Sequence, residues 1–264
     1  MRFLCIGAHP DDCEIGFGGS AARLAAEGQA VKFLSLTDGA AGHQTHAPAT
    51  LAAIRRNEAS EAARRLGIAE TEILRNPDGA LTPNIEVREQ VIRRIREWQA
   101  DVVLTHRPWD YHPDHRYTGQ VVQDAAYLVV VPHVCAETQA LRRNPIFFYV
   151  EDTFRLPDPF MPDIAVDIEP VWDRKIEGMD AHASQFYEWL PWVSGGESAE
   201  RVPASPAERR SWLARQYSRP LTTCVVALLQ RRYGSREITH AEAFQVCEYG
   251  RRPSPEELDE IFPR

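Results

Sequence analysis

Residues 2–20 read RFLCIGAHPDDCEIGFGGS. The unbroken apolar run from Phe3 to Gly7 is the pattern of a strand buried on both faces. It delivers a histidine, a proline and two aspartates at its carboxyl end, and Pro10 makes the following turn rigid and non-helical. The same alternation recurs outward. Strand patterns lie at 30–39, in EILRNPDG (72–79), at 101–108, in NPIFFYV (144–150) and in DIAVDI (163–168). Helical patterns lie at 20–28, with Ser20 as N-cap and Gly28 as stop, and at 50–67, 84–99 and 115–131. This order predicts an α/β fold, a Rossmann-like mostly parallel sheet with flanking helices and right-handed crossovers. In such sheets ligands gather beyond the carboxyl ends of the strands, which would bring the polar clusters at 9–12, 37–43, 76–79 and 106–115 to one edge.

The 264-residue chain can bury one large core, and a main domain over 1–190 is expected. The stretch 191–264 reads as a helical C-terminal extension packed on the same domain, with helix patterns at 207–217, 222–234 and 254–262. A net charge of -8 argues against nucleic-acid and acidic-membrane binding, and no apolar run has the length to cross a bilayer. Five cysteines without a CxxC pair fit free thiols in a reducing cytoplasm, Cys13 among them as a semi-buried thiol.

Two four-residue motifs carry the chemistry: HPDD at 9–12 and HPDH at 112–115. A tight turn brings residues i and i+3 together, so His9 and Asp12 could contact one cation, and His115 could add a third ligand from another strand end. Two imidazoles and a carboxylate with an open position suit catalytic zinc, and equally non-haem Fe(II) or another divalent ion. Asp11, between two ligands, is free to take a proton from a metal-bound water. His112 and Asp114 flank the third ligand, as an imidazole and a carboxylate that can fix its tautomer. Gly16, Gly18 and Ala21 also match the G-x-G-x-x-A of a dinucleotide-binding turn, with Asp38 about the right ~20 residues later. The glycines fall too far beyond the strand end for that reading, and close packing at a helix start is expected instead.

Together these residues resemble the PIG-L/LmbE family of zinc-dependent N-acetylglucosaminyl deacetylases, nearest to its bacillithiol-pathway branch. SLTDGAAG (35–42), RRNEASEAARRLG (55–67), NPDGAL (76–81), DYHPDH (110–115), KIEGMDAHASQF (175–186) and AEAF (241–244) follow in the family order. The resemblance implies zinc on His9, Asp12 and His115, Asp11 as general base, and His112 with Asp114 acting on the substrate amide. It implies substrate contacts for Arg55 and Asp78, against the simpler alternatives of an Arg55–Glu58 ion pair and a turn aspartate. It leaves His182 as a supporting or packing residue. Asp110 stands where some sugar deacetylases carry a tyrosine that assists the oxyanion, and Tyr111 beside it is expected to point elsewhere. The implied activity is removal of an N-acyl group, acetyl first, from a small-molecule amino sugar or conjugate, by a homo-oligomer such as a trimer or hexamer. The rivals are another metal-dependent amidase or esterase, or a phosphoesterase, and a non-catalytic nucleotide-binding module. PWVSGGESAERVPASPAERR (191–210) matches no family element.

Overall fold

The structure is a computed structural model, and it describes residues 1–195 and 201–264. Part of the unmatched 191–210 segment, residues 196–200, therefore lies outside the described residues. Among the described residues seven strands form one sheet in the order β3-β2-β1-β4-β5-β7-β6. They are β1 (Arg2–Gly7), β2 (Ala30–Thr37), β3 (Glu70–Asn76), β4 (Val102–Thr105), β5 (Ile146–Val150), β6 (Ile164–Asp167) and β7 (Ala241–Cys247). The first five pair in parallel, while β7 runs antiparallel between β5 and β6.

Alternate residues of each strand feed two cores, as the period of two requires. Leu4, Ile6, Val103 and Phe147 face helices α3 (Ile85–Trp98) and α4 (Pro113–Leu128). Phe3, Cys5, Leu104 and Phe148 face α1 (Asp12–Ala26), with α2 (Pro48–Leu66) and α5 (Trp172–Asp180) outside it. In α3 the buried positions Val87, Val91, Ile92, Ile95 and Trp98 form one helical stripe, and Asn84 caps its start by accepting from Val87 N. The chain continues through a π-helical turn, Ser184–Trp189, into α6 (Leu190–Val193). Helices α7 (Pro206–Tyr217), α8 (Thr223–Tyr233) and α9 (Pro255–Ile261) complete it, with α8 packed on Ala165 and Ala243.

One expectation is corrected. The first helix begins at Asp12, not at Ser20, and Ser20 is buried in its interior. Gly16, Gly18 and Gly19 are inside α1, on a face pressed against the sheet and its neighbours. A Cβ on Gly19 would stand 2.8 Å from Ile168, and one on Gly16 would stand 3.2 Å from Val150. They are packing glycines, as expected, but inside the helix and not at its start, because α1 begins directly after the HPDD turn.

Candidate active site

Strands β1 and β4 are neighbours at the centre of the sheet, where the strand order reverses direction. A crevice opens beyond the carboxyl ends of such a pair, and here both histidine–aspartate motifs leave those ends. Gly7, the last residue of β1, has no room for a side chain, because a Cβ would lie 2.7 Å from that of Asp12. Asp12 can thus fold back beneath the strand end. Its Oδ2 accepts from the backbone N–H groups of Ala8 and His9, each at 2.8 Å, and His106 Nε2 lies 3.1 Å away. Its Oδ1 faces His115 Nε2 at 3.3 Å.

His9 Nδ1 stands 3.1 Å from His115 Nε2 and 3.6 Å from the Asp12 carboxylate. Donors around a tetrahedral ion with bonds of ~2.0–2.1 Å stand about 3.3 Å apart. The spacing of these three groups fits that arrangement, and their types suit a divalent metal. The far nitrogens are also provided for. His115 Nδ1 lies 3.1 Å from Asp110 Oδ1, while His9 Nε2 lies 3.2 Å from Asp78 and 3.4 Å from Asp114. A carboxylate behind an imidazole can fix its tautomer and turn its lone pair toward the centre, although His9 Nε2 itself makes no hydrogen bond to either of its two neighbouring carboxylates. In the metal-free chain burial opposes protonation of both rings, but the carboxylates win. His115 is raised to about 9 by Asp12 and Asp110, and His9 well above its ordinary value by Asp114, Asp12 and Asp78. Burial raises Asp78 in turn, yet His9, the Ala41 N–H and Arg55 hold it at about 2.

Two other histidines touch this centre. His112 caps α4, its Nδ1 accepting from Asp114 N at 3.2 Å, so its Nε2 carries the proton. Burial, with His9 and His115 close by, holds it below its ordinary value and neutral. His106 stacks on His115 at 4.3 Å with its Nε2 turned to the already satisfied oxygen of Asp12. Asp11, beside Asp12, is buried, and its Oδ1 accepts from Arg55 Nη2 at 3.0 Å. The groups open onto a cleft of about 620 Å³.

Residues 4–126 match the PIG-L family, described as GlcNAc-PI de-N-acetylase. A diacetylchitobiose deacetylase of Thermococcus kodakarensis is 31% identical over 210 residues, covering 72% of this chain and 73% of the relative. The chain belongs to the PIG-L family. A solved N,N'-diacetylchitobiose deacetylase from Pyrococcus horikoshii superposes with a TM-score of 0.72 at 25% identity, covering 94% of this chain and 84% of that one. The 4-carboxy-2-hydroxymuconate hydratase GalB of Pseudomonas putida KT2440 has a TM-score of 0.71 at 23% identity, covering 100% and 98%. That last likeness is one of fold, and fold alone does not set the reaction.

Within this PIG-L chain the catalytic, metal-ligand and substrate residues singled out from the sequence all line the cleft except Asp114, which faces His9. Arg55 does not pair with Glu58, which accepts from Ser184 N and Oγ, but reaches Asp11 and lies 4.0 Å from Asp78. Asp114 is not held to the His112 imidazole through its carboxylate. That group accepts from Gly79 N and Leu81 N and faces His9. Tyr111 does not point elsewhere: it lines the cleft with its ring 5.8 Å from those of both His112 and His115. His182 is fully buried 3.2 Å from Glu14.

The sequence reading missed Asp110 and His106 as partners of His115 and Asp12. Both lie in the polar cluster after β4, but nothing in their spacing says which group they will meet. It also missed a further cluster, His43 and His46 of the 39–47 loop with Glu188 of the π-helical turn. His43 Nε2 lies 3.0 Å from Glu188, and its Nδ1 accepts from the N–H groups of Thr45 and His46. A ring whose Nδ1 accepts keeps its proton on Nε2. His43 therefore donates to Glu188 and ties the 39–47 loop to the π-helical turn.

Proposed function

We propose that the protein hydrolyses an N-acyl group, acetyl in the first instance, from an amino sugar or amino-sugar conjugate. The observation that carries this reading is the meeting of His9 Nδ1, the Asp12 carboxylate and His115 Nε2, 3.1–3.6 Å from one another, in one cleft with the Asp11 carboxylate. The relatives named above that deacetylate diacetylchitobiose support the substrate class. His9, Asp12 and His115 would hold zinc, with Fe2+ or another divalent ion as the alternative. Such an ion, when bound, supplies a Lewis acid for the amide carbonyl and acidifies a water toward a pKa of ~7.

The chain's own residues do the rest. Asp11 takes a proton from the attacking water and returns one to the departing amine, so amide and water become carboxylic acid and amine. Arg55, braced on Gly39 O at 3.2 Å, keeps the Asp11 carboxylate aimed. Neutral His112 offers its Nε2–H to the developing oxyanion, a role that a neutral imidazole fills without moving charge. Asp110 orients His115, and Asp78 with Asp114 orients His9. Metal-loaded protein assayed for acetate release against a panel of N-acetylated amino sugars tests the reading. Release that stops on adding chelator is expected, and its absence across the panel would count against deacetylation.

A further inference from the structure

Strand β4 ends at Thr105, which pairs in register with Ile6 of β1 and donates its Oγ1–H to the Ile6 carbonyl at 3.0 Å. His106 is therefore the first residue beyond the sheet on β4, beside the HPDD turn that leaves β1. Its backbone is held from two sides. A Cβ on Gly119 of α4 would stand 2.7 Å from the His106 carbonyl oxygen and 2.9 Å from the Arg107 carbonyl carbon, so the helix packs directly on this peptide. The next side chain, Arg107, makes a bidentate pair with Asp152, 2.6 Å on each side, and gives further N–H groups to the carbonyls of Phe154 and Asp158.

From this fixed base the ring meets two of the three metal-type ligands. Its Nε2 lies 3.1 Å from Asp12 Oδ2, and its plane stacks on that of His115 at 4.3 Å and 5°. An ionised carboxylate oxygen can only accept, so this approach places the proton of the His106 ring on Nε2. Ala8 N lies 3.4 Å from the same nitrogen, but its hydrogen has the shorter contact, 2.8 Å, to Asp12 Oδ2. Oδ2 thus accepts from three N–H groups, those of Ala8, His9 and His106. Two belong to the turn's own backbone. The third comes from another strand end, and it leaves Oδ1 as the oxygen facing His115 Nε2, at 3.3 Å.

We propose that His106 is a positioning residue of the metal centre: its Nε2–H fixes the Asp12 carboxylate with Oδ1 turned to the ligand histidines, and so raises the affinity for the ion. The inference rests on the reading of His9, Asp12 and His115 as the ligands, and it adds a residue that lies in neither the HPDD nor the HPDH motif. A hydrogen bond to the far oxygen of a ligand carboxylate fixes the orientation in which the near oxygen is offered. The stack on His115 supplies a competing explanation, in which the ring serves only as packing.

Two substitutions separate the hydrogen bond from the stack. His106→Phe keeps a ring against His115 and loses the donor, whereas His106→Gln keeps an N–H near the place of Nε2 and loses the ring. Zinc affinity is measured by chelator competition on the metal-free full chain, for wild type, both variants and His115→Ala as control. His106→Phe is expected to bind zinc about 10- to 100-fold more weakly than wild type, as for a lost partner of a metal ligand, and His106→Gln to recover most of that loss. If the larger ring prevents folding, His106→Leu takes its place, since it too lacks the donor. Wild-type affinity in the donor-less variant overturns the proposal. So does a loss in His106→Gln as large as in His106→Phe, which assigns the effect to packing. A wild type that binds no zinc, or a His115→Ala that binds it as tightly as wild type, contradicts the ligand reading itself, and the inference falls with it.

Discussion

Asp12 divides its two oxygens between fold and chemistry. One is spent on the Ala8 and His9 N–H groups, and the other faces His115. Asp11, one residue earlier, turns the opposite way to Arg55. This division was legible in the sequence, because a strand end followed by His-Pro-Asp-Asp leaves i and i+3 on one side and the residue between them free. Partners across the sheet were not legible. Asp110 looked like a departure from a tyrosine position, yet its carboxylate lies behind His115. Asp11→Asn is expected to keep its metal by elemental analysis while turnover drops about 10²- to 10⁴-fold, the range for a lost general base. Asp110→Asn should weaken metal binding about 10- to 100-fold in a chelator competition, as for a carboxylate that orients a ligand histidine.

At the scale of elements, α1 holds a feature that no local pattern could disclose. Glu242 of β7 accepts from the backbone N–H groups of Gly19 and Ser20, and Lys175 of α5 bridges Glu242 to the carbonyl of Ile15. The side chains enter the helix ladder just where its glycines press against the neighbouring chain. Strand β7 and helix α5 escaped the strand and helix reading for the same reason: AEAFQVC is polar at Glu242 and Gln245, and WDRKIEGMD carries charge on most faces. Lys175 and Glu242 are buried as an ion pair that only the tertiary fold creates. Removing one partner of a buried ion pair leaves an uncompensated charge. Lys175→Met is therefore expected to cost about 3–5 kcal/mol in urea unfolding, and a variant as stable as wild type would remove Lys175 from this role. Gly19→Ala, driven against Ile168, should cost about 1–3 kcal/mol by the same measurement.

Over the whole molecule, β1, β2, β4 and β5 were readable because each is a mostly apolar run ended by turn residues, and the site followed from where β1 and β4 end. No helix among the described residues is long and apolar enough to cross a membrane. The centre also links pH to stability. In the metal-free chain burial opposes the proton on His115, but Asp12 and Asp110 raise it to about 9. A folded value above the ordinary 6.5 means the protonated ring stabilises the fold fully below pH 6.5, and that contribution fades as pH rises through about 9. Metal-free protein should therefore lose melting temperature between pH 6.5 and 9, and metal-loaded protein, whose His115 holds no such proton, should lose less. The central claim is that His9, Asp12 and His115 hold a catalytic metal while Asp11 moves the proton. Metal content and acetate release, measured side by side on wild type, His115→Ala and Asp11→Asn, test it most directly. The expected result is metal and release in wild type, neither in His115→Ala, and metal without release in Asp11→Asn. Full acetate release from Asp11→Asn, or full metal retention by His115→Ala, would contradict it.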